Sequence, residues 1–206
     1  MKFYGQFNLD EWLYNGYFRN YKNGFFVECG AYDGILDSTC KFFEESLNWT
    51  GMNIEAVPYI FDKLVENRPH STNIKCALSD TNSSKVFTQA IHPKFGRFFG
   101  NGSLSHSREH RQQLDRKKCS FEKFEVECKK FADILIPARK IDLFVLDVEG
   151  HELEAIDGIL PIGEQYLPKV FFIEHTVVGI DSISAKLTES YTLDKVYKHN
   201  AVFVKK

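Results

Sequence analysis

The stretch FFVECGAYDGILDS, Phe25 to Ser38, carries the reading of the fold. Phe25 to Cys29 reads as a buried strand, and Gly30 and Gly34 read as a tight turn. Cys40, Phe43 and Leu47 then recur at helical spacing behind Asp37 or Ser38, either of which suits a helix N-cap. Strand, glycine turn and helix form the opening unit of an α/β sheet, where a ligand meets bare backbone at a helix N-terminus. A tight bend alone accounts for the glycines. Glu28 asks for more, because a carboxylate near the end of a buried strand is rare without a partner or ligand. The spacing is GxxxG, so the middle glycine that lets a dinucleotide pyrophosphate approach is absent.

The same unit recurs along the chain. Apolar runs at Met52 to Val57, Asn73 to Leu78, Ile141 to Val148 and Val170 to Glu174 read as strands. Helical stripes lie at Phe61, Leu64 and Val65 behind Pro58, at Phe131, Ile134 and Leu135, and at Leu153, Ile156 and Leu160, with Gly158 as an expected C-cap. This alternation predicts an α/β fold with a mostly parallel sheet, and 206 residues at 43% hydrophobic composition suit one domain over residues 1–206. Residues 1–22 read as an N-terminal extension without an assignable role. Residues 92–118, rich in glycine, histidine and basic groups with little periodicity, read as a lid loop. The closing ESYTLDKVYKHNAVFVKK reads as an antiparallel hairpin turning at His199 and Asn200.

A net charge of −2 provides no general attraction to nucleic acid or anionic membranes, and the basic groups of 92–118 are interspersed with acids as on a solvated loop. The apolar runs are strand length, far short of the ~20 residues of a membrane span. Five cysteines without a CxxC pair, and a start lacking the apolar core of a secretory signal, lead us to expect a cytoplasmic, reducing compartment. Asp147, Glu174 and His175 offer ligand atoms at neighbouring strand ends, yet no spacing demands a divalent metal.

Candidate site residues collect at strand ends. Glu55 closes the second strand 21 residues past Gly34, where an acid accepts the two hydroxyls of a ribose in NAD and S-adenosylmethionine sites alike; an acid at the N-terminus of the helix opened by Pro58 is the competing account. Ser79 and Asp80, in CALSD, read as turn residues. The stretch IDLFVLDVEGHELEAIDG ends its strand in Asp147, Glu149, His151 and Glu152 around Gly150, and KVFFIEHT ends in Glu174 and His175. Glu152 suits a first helical turn, whereas Asp147 still lies within the strand pattern.

Taken in order, FFVECGAYDG, GMNIEAVPYIFDKLVENRP, CALSD, IDLFVLDVEGHELEAIDGI and FFIEH resemble the FkbM family of S-adenosylmethionine-dependent methyltransferases over most of Phe25 to His175. The resemblance implies a seven-stranded Rossmann-like sheet whose last strand is antiparallel. It implies that Glu28, Gly30, Ala31 and Gly34 hold the methionine part of S-adenosyl-L-methionine with Asp33 in support. Glu55 would take the ribose, Ser79 and Asp80 would lie by the adenine, and Asp147 would face the methyl group. Tyr32 stands where that loop usually has a small polar residue. By resemblance the acceptor is a hydroxyl of a sugar or glycan. Candidates to orient or deprotonate it are Asp147, Glu149, His151 and His175, with Asp147 preferred and His151 second. Two other readings stay open at this point, an NAD(P)-binding oxidoreductase and a non-catalytic binding module.

Overall fold

The computed structural model describes residues 1–135 and 139–206. Helix α1 (Leu9–Tyr17) precedes β1 (Phe25–Cys29), whose five residues are all buried, as a strand covered on both faces must be. Next come α2 (Lys41–Leu47), β2 (Thr50–Glu55), α3 (Pro58–Asn67) and β3 (Thr72–Lys75), with Pro58 in the first turn of α3 as its fixed φ favours. Neither Asp37 nor Ser38 is the N-cap of α2, which is Cys40, although the Ser38 hydroxyl accepts the Lys41 N–H at 3.1 Å.

The expected third strand divides. Thr72 to Lys75 pairs with β2, and after Cys76 the chain crosses to a second sheet, where β4 (Ala77–Leu78) pairs with a later strand. That second sheet also holds β5 (Ser83–Ile91) and β6 (Gly102–Ser103). Helix α4 (Arg108–Arg116) then leads to β7 (Ser120–Lys129), and the four strands take the order β4-β7-β5-β6. Residues 92–118 are therefore not a bare loop, since they contain β6 and the nine residues of α4. REHRQQLDR hides its helix because Leu114 is its single apolar residue; the helix is recognisable by the Ser107 hydroxyl, which accepts the His110 N–H at 3.0 Å.

Short α5 (Phe131–Ile134) is followed by β8 (Leu143–Leu146), α6 (Glu152–Ile159), β9 (Val170–Glu174), α7 (Ile180–Leu187), β10 (Tyr191–Tyr197) and β11 (Asn200–Lys205). The main sheet has seven strands in the order β10-β11-β9-β8-β1-β2-β3. Its β3, β2, β1, β8 and β9 run parallel, and β11 is antiparallel to both β9 and β10. The terminal hairpin is thus appended to the sheet beyond β9, with β11 paired to β9 and β10 forming the edge. Gly158 is not a C-cap: it lies within α6, where an added Cβ would stand 2.0 Å from the Ser79 carbonyl oxygen, and its bareness lets α6 close on the end of β4.

Side chains alternate between two cores across the main sheet. Val27, Ile54, Phe144, Leu146, Phe171 and Phe203 join α5, α6 and α7 on one face. Phe26, Leu143, Val145, Phe172 and Val202 meet Leu9, Leu13, Tyr14 and Phe18 of the N-terminal segment and Phe42, Phe43 and Leu47 of α2 on the other. The N-terminal extension is therefore a structural layer of the domain. A smaller cluster, Val57, Ile60, Phe87, Val126 and Cys128, joins α3 to the second sheet.

Candidate active site

Chain order along the main sheet reverses between β1 and β8, so the connections leaving these strands diverge and open a crevice beyond their carboxyl ends. A cavity of about 940 Å³ lies there, walled by the ends of β1, β2 and β8 and by residues of the second sheet and α4. Gly30 has φ +80°, and an added Cβ would stand 1.8 Å from the Asp147 carbonyl oxygen, so the turn after β1 touches the end of β8 directly. The N–H groups of Gly30 and Ala31 both donate to Ile54 O, at 3.0 and 3.1 Å, which ties that turn to β2.

Glu28 has internal partners. Its carboxylate accepts Thr39 N–H at 2.7 Å, Cys40 N–H at 3.1 Å and the Ser38 hydroxyl at 2.8 Å, and Arg68 Nη1 stands 3.6 Å away. Burial raises its pKa and Arg68 opposes that rise. Arg68, which the sequence did not single out, is 1% exposed; it also pairs with Glu44 and donates to Gly34 O at 3.2 Å. The second glycine serves this packing, since a Cβ on Gly34 would meet Arg68 Cγ at 2.6 Å and Leu64 at 2.7 Å. Asp33 turns onto its own loop, accepting from Ile35 and Leu36 N–H at 2.9 and 2.8 Å. Asp33 and Gly34 thus shape the turn from behind, while Glu28, Gly30 and Ala31 reach the cavity wall.

Glu55 lines the cavity at the end of β2. One carboxylate oxygen accepts the Tyr32 N–H at 3.1 Å and the other the Val57 N–H at 2.7 Å. Burial pushes its pKa up to about 7 against these stabilising bonds. Each oxygen keeps a lone pair for a further donor. Tyr32, at φ 51°, sends its hydroxyl to Phe98 O at 2.8 Å and so fastens the turn after β1 to the segment that precedes β6.

Asp147 opens onto the cavity at the end of β8. Asp147 stays exposed to the cavity, and the crowded strand end together with repulsion from the acids Glu174, Glu149 and Glu152 raises its pKa above the ordinary value. Glu149, also in the wall, is raised to about 8 by burial and then by Glu174 and Glu152. Glu152 takes the expected role at a helix start: it accepts the N–H groups of Val148 and Gly150, each at 3.1 Å. A wall of carboxylates that raise each other's proton affinity is complementary to a cation such as a sulfonium or an ammonium group.

The histidines divide differently from the sequence expectation. His151 is 4% exposed, with Nε2 3.1 Å from the Ser79 hydroxyl and Nδ1 3.2 Å from the Ser105 hydroxyl, so it touches the cavity but both ring nitrogens are engaged. Ser79 lies behind the wall on this histidine, and Asp80 binds the Ser79 hydroxyl at 3.0 Å; neither reaches the cavity. His175 is also outside the wall, while its neighbours Glu174 and Thr176 are in it. His110, absent from the sequence candidates, comes in from α4. The Asn101 amide donates to Phe99 O at 3.2 Å and presents Oδ1 to His110 Nε2 at 3.3 Å, leaving Nδ1 of the ring 3.9 Å from Glu149.

A family profile described as the methyltransferase FkbM domain matches residues 28–199, which include every wall residue described above. The chain belongs to the FkbM methyltransferase family. Among solved structures, a mutant of MtNAS aligns with a TM-score of 0.50 and 11% identity over 96% of this chain and 58% of its own. A TehB-like SAM-dependent methyltransferase from Corynebacterium glutamicum aligns at 0.45 and 11% identity, over 90% of this chain and 82% of that one. The N-terminal domain of human METTL16 in complex with SAH aligns at 0.48 and 11%, over 96% and 68%. At such identities the likeness concerns the fold alone. No curated protein matches the chain. The FkbM enzyme is an S-adenosylmethionine-dependent methyltransferase, which sets aside the oxidoreductase and the non-catalytic readings. Its acidic wall and Glu55 fit a cofactor bearing a sulfonium, an ammonium and a ribose diol. Among the described residues no three His, Cys, Asp or Glu side chains are grouped to hold a metal ion, and no helix is long and apolar enough to cross a membrane.

Proposed function

We propose that this FkbM-family enzyme is an O-methyltransferase whose acceptor is a hydroxyl of a sugar or glycan. The observation that carries the reading is Asp147, a carboxylate open to the cavity at the end of β8 with Glu149 and Glu174 in the same wall, whose surroundings raise its proton affinity above that of an ordinary carboxylate. S-adenosylmethionine supplies an electrophilic methyl group on a cationic sulfur. The chain's own residues do the rest. Glu55 accepts the ribose hydroxyls, and the backbone at Gly30 and Ala31 lies along the methionine part, held by the Glu28 and Arg68 pair. Asp33, Gly34, Ser79 and Asp80 support this frame from behind.

Asp147 orients the acceptor hydroxyl and accepts its proton, with Glu149 beside it. Placing the two reactants in line accounts for roughly 7 kcal/mol or more of barrier reduction. Proton acceptance adds about 10²-fold to 10⁴-fold. His151, bound on both nitrogens, is a positioning residue in this scheme, and His175 has no part in the transfer. Tyr32, Phe98 and Phe99 line the cavity and offer aromatic surface to exclude water and to pack on C–H faces of a sugar. Five free cysteines, four of them buried, suit a cytoplasmic, reducing compartment. The test is transfer of labelled methyl from S-adenosylmethionine to a carbohydrate panel. Wild type should label a hydroxyl, and Asp147→Asn should transfer about 10²-fold more slowly with little change in cofactor affinity. Transfer only to nitrogen or carbon acceptors, or a folded Asp147→Asn of normal rate, would sink the reading.

A further inference from the structure

The N-terminal segment brings a strained aromatic to the mouth of the cavity. Phe7 and Asn8 are consecutive non-glycine residues at φ 53° and 58°, a left-handed backbone that side chains avoid, and both precede α1 directly. This conformation is held from both sides. The buried Asp10 carboxylate accepts the Tyr4 and Glu11 N–H groups at 2.6 and 3.0 Å, Asn8 N–H donates to Gly5 O at 3.0 Å, and Gly5 bridges to Asp37 beyond the turn after β1. The result is a Phe7 ring left 52% exposed, so its display is not explained by packing. It stands edge-on to the His199 ring with centroids 5.7 Å apart, at the turn between β10 and β11. Gln6, Phe7, Asp37 and His199 all belong to the cavity wall. Phe7 lies outside the matched family region of 28–199.

An exposed ring flanked by an amide, a carboxylate and an imidazole combines an apolar face with hydrogen-bonding groups. That is the chemistry a saccharide ring presents in reverse, with an apolar C–H face and a rim of hydroxyls. We propose that Phe7 determines acceptor specificity, taking one saccharide ring of the acceptor on its face while Gln6, Asp37 and His199 bind the ring's hydroxyls. This rests on the O-methylation reading above and assigns the acceptor subsite within it.

The test compares Phe7→Ala and Phe7→Tyr with wild type, using the best saccharide acceptor of the panel. Loss of a stacking face should raise the acceptor KM in Phe7→Ala by roughly tenfold with a much smaller change in kcat, while Phe7→Tyr keeps a KM near wild type. Calorimetric affinity for S-adenosylhomocysteine should be unchanged in both. Saturation-transfer NMR of the saccharide on protein loaded with S-adenosylhomocysteine should show contact in wild type and Phe7→Tyr and its loss in Phe7→Ala. An active wild type beside a Phe7→Ala variant of unchanged KM and unchanged saturation overturns the subsite alone. Parallel losses of kcat and S-adenosylhomocysteine affinity also overturn it, as the mark of a structural role. A wild type that methylates no saccharide hydroxyl overturns the O-methylation reading, and the subsite with it.

Discussion

Replacing Arg68 by methionine removes the one guanidinium that faces both Glu28 and Glu44. The side chain is 1% exposed, so no water waits to take its place, and Glu28 keeps only the Thr39, Cys40 and Ser38 donors. Breaking a buried pair on one side costs about 3–5 kcal/mol, because the remaining charge is left uncompensated. For a domain of this size that corresponds to a melting temperature lower by roughly 6–20 °C. The pH dependence has a definite sign. Burial already holds the Glu28 pKa above its ordinary value and Arg68 opposes that rise, so the variant's Glu28 binds its proton more tightly still. The folded variant then carries a proton the unfolded chain has lost above about pH 4.3, and its stability falls as pH rises toward the folded-state pKa. Urea unfolding at pH 5 and pH 8 should show the larger penalty at pH 8. Glu28→Gln combined with Arg68→Met should recover much of the loss, since a neutral pair leaves no orphaned charge. A penalty below about 1 kcal/mol at both pH values, or one that is larger at pH 5, would refute the reasoning.

Glu55→Gln should weaken S-adenosylmethionine binding by about 1.5–3 kcal/mol in calorimetry, the scale of a hydrogen bond to a charged group, and unchanged affinity in a folded variant would remove the ribose assignment. Gly30→Ala must fit a Cβ 1.8 Å from the Asp147 carbonyl at φ +80°, so a loss of roughly 3 kcal/mol or more in unfolding measurements, with loss of cofactor binding, is expected. Glu55 and Glu152 are raised to about 7 and Glu149 to about 8, so the folded protein binds protons that the unfolded chain releases, and stability without cofactor should fall between about pH 5 and pH 8. A bound cation favours the ionised acids, so affinity for S-adenosylmethionine should rise across that window more than affinity for the uncharged thioether S-adenosylhomocysteine; equal slopes in calorimetry would count against the acidic wall as the sulfonium site.

The strands of the main sheet were legible because both of its faces are covered, and a strand buried on both sides must be apolar at nearly every position, as β1 is. Glu28, Glu55 and Asp147 were legible for the complementary reason: an acid that interrupts such a run needs a local cause. What each acid does was not contained in its own neighbourhood. Glu28 is answered by Arg68 from the far end of α3, and the two meet only because that helix folds back across the turn after β1. Gly30 and Gly34 look alike in sequence, yet contact with Asp147 makes one a wall of the cavity and contact with Arg68 makes the other a seat for α3. Helix α4 was missed because Leu114 is its single apolar residue, whereas β7 alternates Phe124, Val126 and Cys128 with the solvated Glu125 and Glu127, a period of two that the sequence carries and the reading passed over. Sequence alone therefore determined the sheet, the family resemblance and the strand-end acids, which depend on burial along a continuous segment. Only the tertiary structure decided that His110 and Phe7 reach the cavity while His175 does not, because those positions depend on how α4, the N-terminal segment and the terminal hairpin pack around a space that no single segment encloses.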